Sequence, residues 1–189
     1  MRLRFYVMGA VLAAVCLVFG VLSGSERALS SPQQPAPNEC NQAGVFDPSP
    51  EYTVYRNDRY GFSIEVPLHF LPGIPPTNGD GQSYTTSSGD AAIKVYGSNN
   101  FDDTTGREQY DRMITEKAGK LGYHVCSDNW FVVTWEDQGA VISYHKSYVG
   151  TGSSNSFVIT YPREKMGYYE QIVERMERTF RSGDLSRAH

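Results

Sequence analysis

The pattern that most limits the fold of this chain is two-residue alternation along its second half. Tyr123–Ser127, Trp130–Trp135, Val141–Tyr148 and Ser156–Tyr161 place apolar and polar side chains on opposite sides, which is the period of half-buried strands. Turn residues separate them: Asp128-Asn129, Asp137-Gln138-Gly139 and Gly150-Thr151-Gly152. Strands that alternate in this way have one wet face, which argues for an antiparallel sheet. Upstream, Glu51–Tyr55 and Gly61–Leu68 read as two short strands about Asn57-Asp58, and Gln82–Ser87 and Ala91–Gly97 as a hairpin about Ser88-Gly89-Asp90. Residues 69–82, punctuated by Pro72-Gly73, Pro75-Pro76 and Asn78-Gly79-Asp80-Gly81, read as a loop.

Two stretches change period. Thr105-Gly106-Arg107-Glu108 is a capping box, and Tyr110, Met113, Ile114, Ala118 and Leu121 follow at helical spacing with Gly122 at the exit. Tyr169, Ile172, Val173, Met176 and Phe180 form one apolar stripe on a closing helix. Both stripes need a surface to cover, and a sheet is the large one available. The expected fold class is α+β: an antiparallel β-sheet flanked by two amphipathic α-helices, preceded by an N-terminal signal or anchor helix. The order of elements lacks the βαβ rhythm of a Rossmann fold.

That N-terminal segment sets the expected compartment. Arg2 and Arg4 precede Phe5–Leu22, a run without a charged residue, and Ser23-Gly24-Ser25 and Ala28-Leu29-Ser30 are small-x-small cleavage sites. Its length lies between signal h-regions and membrane spans, so release and tethering both stay open. Val15 before Cys16 does not suit lipoprotein processing, which wants a small residue there. Residues 1–30 are therefore expected as signal peptide or anchor, 31–50 as a linker carrying Pro32, Pro35 and Pro37, 51–182 as one domain and 183–189 as a flexible tail. Without residues 1–30 the chain keeps 14 basic and 20 acidic residues. No clustered Lys and Arg await phosphates, so nucleic acid is excluded as a partner, and membrane contact is expected only through residues 5–22 if they are retained. An extracytoplasmic location, periplasmic or secreted, also makes a Cys40–Cys126 disulfide reasonable.

The run Tyr55-Arg56-Asn57-Asp58-Arg59-Tyr60-Gly61-Phe62-Ser63-Ile64, followed by Val66-Pro67, resembles the opening of PsbP-like domains. Asn78-Gly79-Asp80-Gly81 before a hairpin, and Tyr161-Pro162 before a last helix ending at Phe180, are similar too. The resemblance covers roughly residues 52–181. It implies a PsbP-like sandwich and a non-catalytic binding or assembly role.

Motifs for chemistry are sparse. The loop around Asp80 fails as an EF-hand, since Pro76 and Ser87 would fall at ligand positions. Asp80, Asp90, Asp102 and Asp103 lie in loops with nothing in their spacing to make them converge, so no metal site and no cofactor is expected. Gly150–Ser154 lacks the lysine and the helix of a phosphate loop. His69, His124, His145 and His189 include no pair at helical spacing for zinc. His124 and Cys126, two apart on a strand, share a face that Asp128 extends, and they constitute the alternative reading, an exported thiol or hydrolytic enzyme. Ser143 with His145 has the same spacing.

Aromatic residues are the surplus, with 13 Tyr, 9 Phe and 2 Trp. Trp130 and Val132 alternate against Phe131, Val133 and Trp135, so one tryptophan is expected under a helix and the other outside. An outward Trp135 with Tyr144, Tyr148 or Tyr96 would suit stacking on a ligand or a protein. The favoured function is a non-enzymatic extracytoplasmic module that binds a protein, cell-wall or small-ligand partner through a sheet face or loop rim.

Overall fold

A computed structural model describes residues 50–189. The signal or anchor segment, almost all of the linker and Cys40 lie outside the described residues. In chain order the elements are β1 (Tyr52–Arg56), β2 (Ser63–Pro67), β3 (Phe70–Pro72), β4 (Gly81–Thr86), β5 (Ala92–Asn99), α1 (Gly106–Glu116), β6 (Leu121–Cys126), β7 (Trp130–Asp137), β8 (Val141–Val149), β9 (Ser153–Pro162) and α2 (Met166–Thr179). Seven strands form one antiparallel sheet in the order β3-β4-β5-β9-β8-β7-β6, and β1 pairs with β2 in a separate hairpin. From β5 the chain crosses the sheet through α1 to the far edge, and the β6–β9 meander then returns β9 beside β5.

Each helix covers a different face. Strand register puts Trp130, Val132, Tyr144, Lys146, Tyr148, Phe157, Ile159, Val95 and Ile93 on one face. There they pack with Tyr169, Ile172, Val173 and Met176 of α2 and with Phe62, Ile64 and Val66 beside it. The other face carries Phe131, Val133, Trp135 and Val149, on which Tyr110, Met113 and Ile114 of α1 pack. Burying a side chain of this size stabilises by about 1.5–3 kcal/mol, so the larger cluster dominates. The central strands are thus covered on both sides. A wet face survives toward β4 and β5, where Ser83, Thr85, Lys94 and Ser98 are exposed.

Local corrections follow from tertiary pairing. Phe70–Pro72, expected within a loop, is an edge strand, because Phe70 is buried and pairs opposite Thr86. Helix α1 stops at Glu116, and Gly119 takes a positive φ of 83° that turns the chain back. Leu121 and Gly122 consequently belong to β6 rather than to the helix. Residues 183–189, expected as a flexible tail, are tied to the end of the sheet by hydrogen bonds from β5 and β9.

Candidate functional site

At one end of the sheet four loops meet, and buried asparagines organise them. Asn57 accepts from the Tyr60 amide at 2.7 Å and donates to the Tyr55 hydroxyl and the Gly79 carbonyl, fixing the β1–β2 turn against the 78–80 loop. Asn100 accepts from the Thr104 amide and donates to the Thr104 and Gly150 carbonyls, fixing the approach to α1 against the β8–β9 turn. The Gly150 amide closes that turn on the Ser153 carbonyl at 2.9 Å. Buried amide side chains satisfied on both ends are costly to disturb, so they hold a loop rim rigid.

Residues 183–189 lie along this rim. The Gly183 amide donates to Asn155 Oδ1 at 2.9 Å, with Asn155 fully buried. The Leu185 carbonyl accepts from the Gly152 and Ser153 amides at 2.9 and 3.2 Å. Asn99 pairs with His189 through both main-chain groups, accepting from its amide at 2.8 Å and donating to its main-chain oxygen at 3.0 Å. Arg59 Nη2 donates to the same oxygen at 2.7 Å, while Nη1 is held by Asp80 at 2.6 Å and the Asn78 carbonyl at 2.8 Å. The imidazole of His189 lies against the Tyr60 ring at 5.0 Å between centroids, and the Arg59 guanidinium lies over that ring at 5.2 Å. Burial first, then the Asp80 carboxylate, raises the Tyr60 phenol above its ordinary range, so the ring stays neutral. Gly152 matters sterically, because a Cβ there would collide with the Arg187 main chain. The arrangement grips the main chain of residues 183–189, which bends at Ser186 and Arg187.

The residues expected to form one aromatic surface are split. Trp135 is 9% exposed beneath α1, where Lys117 Nζ lies 4.8 Å from its ring centroid and Asp137 accepts its indole N–H at 2.9 Å. This corrects the expectation of an outward Trp135: α1 crosses the face that it occupies. Tyr96 shares that face, opposite Ser156 in the register. Tyr144 and Tyr148 lie on the other face, Tyr144 buried against Phe157. Burial, with Glu177 second, raises the Tyr144 phenol far above its ordinary range. Tyr148 joins Trp130 around Lys146, whose Nζ lies 4.1 Å from the Trp130 centroid and 3.4 Å from Glu177. A cation from the chain itself therefore already fills that cluster.

The thiol constellation is also divided. Tyr110 Oη lies 2.6 Å from His124 Nδ1, and Arg107 donates to Cys126 Sγ at 3.4 Å. His124 and Cys126 share a face of β6 as expected, opposite Val133 and Phe131, but each is engaged with α1. Cys126 makes no disulfide within the described residues, and Cys40 lies outside them. Ser143 and His145 are buried on β8 without contacting each other through any hydrogen bond described. Among the acids, Asp80 is paired with Arg59, and Asp90 takes hydrogen bonds from Lys165, Ser88 and Thr86 that hold its carboxyl well below the usual range. Asp102 and Asp103 are exposed, and among the described residues no three His, Cys, Asp or Glu side chains gather as metal ligands.

Sequence reasoning did not select Arg59, Tyr60, Asn99, Asn155 or Gly152. Two signals were present: Asn99-Asn100 at a strand end, and Ser153-Ser154-Asn155-Ser156, a polar run where alternation should have supplied apolar residues.

Neither the protein-family models nor the curated proteins include a match to this chain. Among solved structures, the chain is similar to the solution structure of cyanobacterial PsbP (CyanoP) from Synechocystis sp. PCC 6803. The similarity has 12% identity and a TM-score of 0.53, and covers 77% of this chain and 98% of that one. Two helices on opposite faces of one antiparallel sheet, together with this likeness, establish that the chain has a PsbP-like fold.

Proposed function

We infer that this chain is a non-enzymatic extracytoplasmic binding or assembly module whose working surface is the loop rim. The observation that carries the reading is the convergence of Arg59, Asn99 and Asn155 on the main chain of residues 183–189. The PsbP-like fold supports a binding role, and the uncharged Phe5–Leu22 run behind two arginines supports export. His124 and Cys126 are engaged by Tyr110 and Arg107 rather than by one another, which favours binding over thiol chemistry. On export, Cys126 pairs with Cys40 and ties the linker to β6. Alkylation of the unreduced exported chain should then leave both cysteines unlabelled, and labelling of Cys126 would refute the bond.

A photo-crosslinking residue tests the surface. Placed at exposed Asp58 on the rim it should give a partner adduct in cells that export the chain, and placed at exposed Glu174 on α2 it should give none. An adduct from Glu174 alone, or none from Asp58, would overturn the reading. Protease added outside intact spheroplasts should digest the domain; protection would overturn the location.

A further inference from the structure

We propose that the rim is a receptor for a peptide segment of a partner protein, and that residues 183–189 occupy it as a displaceable strap. The proposal rests on the rim being the working surface.

The contacts are directed at main chain. The Gly183 amide, the Leu185 carbonyl and both main-chain groups of His189 are met by Asn155, Gly152, Ser153, Asn99 and Arg59. Recognition of this kind is tolerant of side chains, as in strand addition to a sheet edge. The strap itself is lightly held. Asp184, Ser186, Arg187 and Ala188 are exposed, and only Gly183, Leu185 and His189 are half-buried. Segments with so few buried apolar contacts open at a small fraction of the global unfolding free energy.

The wall is also cut back for an incoming backbone. A Cβ at Gly150 would meet Leu185, and one at Gly152 the Arg187 main chain. Were the strap to leave, the Gly152 and Ser153 amides, Asn99, Asn155 and one arm of Arg59 would lose their partners, and a second segment bent in the same way restores all of them. The ligand that fits needs a flat ring to lie on Tyr60 and a main-chain oxygen between Arg59 and Asn99, four residues beyond the carbonyl that takes the place of Leu185's. Because the strap competes, the apparent affinity is reduced by the fraction of time the rim is occupied.

The probe is a fluorescent peptide of residues 183–189, blocked at both ends, titrated by anisotropy against the full chain. The Leu185→Asp/His189→Ala chain, whose strap is loosened while the rim is intact, should bind it at least ten-fold more tightly than the unaltered chain. Adding Gly152→Ala or, separately, Arg59→Ala in that background should weaken binding at least ten-fold, with far-ultraviolet dichroism unchanged. Equal binding by the unaltered and loosened chains, or binding indifferent to both rim substitutions, would overturn the receptor. Hydrogen exchange gives a second reading: the Gly183 and His189 amides should exchange at least a hundred-fold faster than the β8–β9 ladder and slow on peptide addition. Strap amides as protected as that ladder would falsify displaceability. Peptide binding without an Asp58 adduct in cells would refute the working surface alone, and an adduct without peptide binding would refute the peptide receptor alone.

Discussion

His145 shows how a single side chain records the packing around it. It stands on β8 between Val133 and Val158 of the neighbouring strands, with Phe131 edge-on at 5.4 Å, and its Nε2 has no hydrogen-bond partner among the described residues. Burial first, and Lys117 second, lower its pKa from 6.5 to about 4. The unfolded chain therefore binds a proton between these values that the folded chain refuses. The stability from keeping His145 neutral is fully present above pH 6.5 and is lost as pH falls toward 4. Urea denaturation at pH 7 and pH 4.5 should show His145→Leu abolishing up to about 3 kcal/mol of the acid-induced loss. An unchanged pH dependence would contradict the buried neutral imidazole. In sequence, His145 read only as a partner for Ser143; its burial was not visible there, because it depends on α1 crossing above β8.

At the scale of elements, α1 was legible at its start and misread at its end. Thr105 accepts from the Glu108 amide at 3.2 Å and Glu108 accepts from the Thr105 amide at 2.7 Å, as the capping box predicts. The hydrogen bonds from the Thr105 amide and hydroxyl to the Glu108 carboxylate lower its pKa, so their contribution is present above the ordinary carboxylate range and fades as pH falls through the lowered value. Thr105→Ala should cost about 1 kcal/mol at pH 7 by urea denaturation. A null effect would mean that tertiary contacts alone hold the first turn. The far end obeys a different rule: Ala118 and Leu121 continue the helical period, yet Leu121 pairs opposite Trp135 in β6. Strand pairing outweighs propensity there, and spacing along the chain cannot report a partner fourteen residues away.

For the molecule as a whole, the two faces of the sheet are unequally filled. Four buried apolar side chains face α1, whereas α2 closes a cluster that includes Phe62, Ile64, Phe157, Ile172 and Phe180. Local opening follows buried apolar contact, so α1 amides should exchange measurably before those of α2 in native-state hydrogen exchange. Simultaneous exchange of the two helices would show that the sandwich opens as a single unit. The rim is a property of the same scale. Arg59 and His189 are 130 positions apart, and the sheet order brings them together.

The sequence alone determined what depends on near neighbours: strand and helix periods, the capping box, the turns and, through the motif from Tyr55 to Pro67, the PsbP-like fold. Those features are set by backbone sterics and burial on one side of an element, which repeat at short range. Tertiary structure decided which tryptophan went under a helix, how the Cys126 and His124 side chains were engaged, and that residues 183–189 dock on the rim. Each of these choices depends on which element crosses which face, and that is fixed only when the whole sheet closes its two cores.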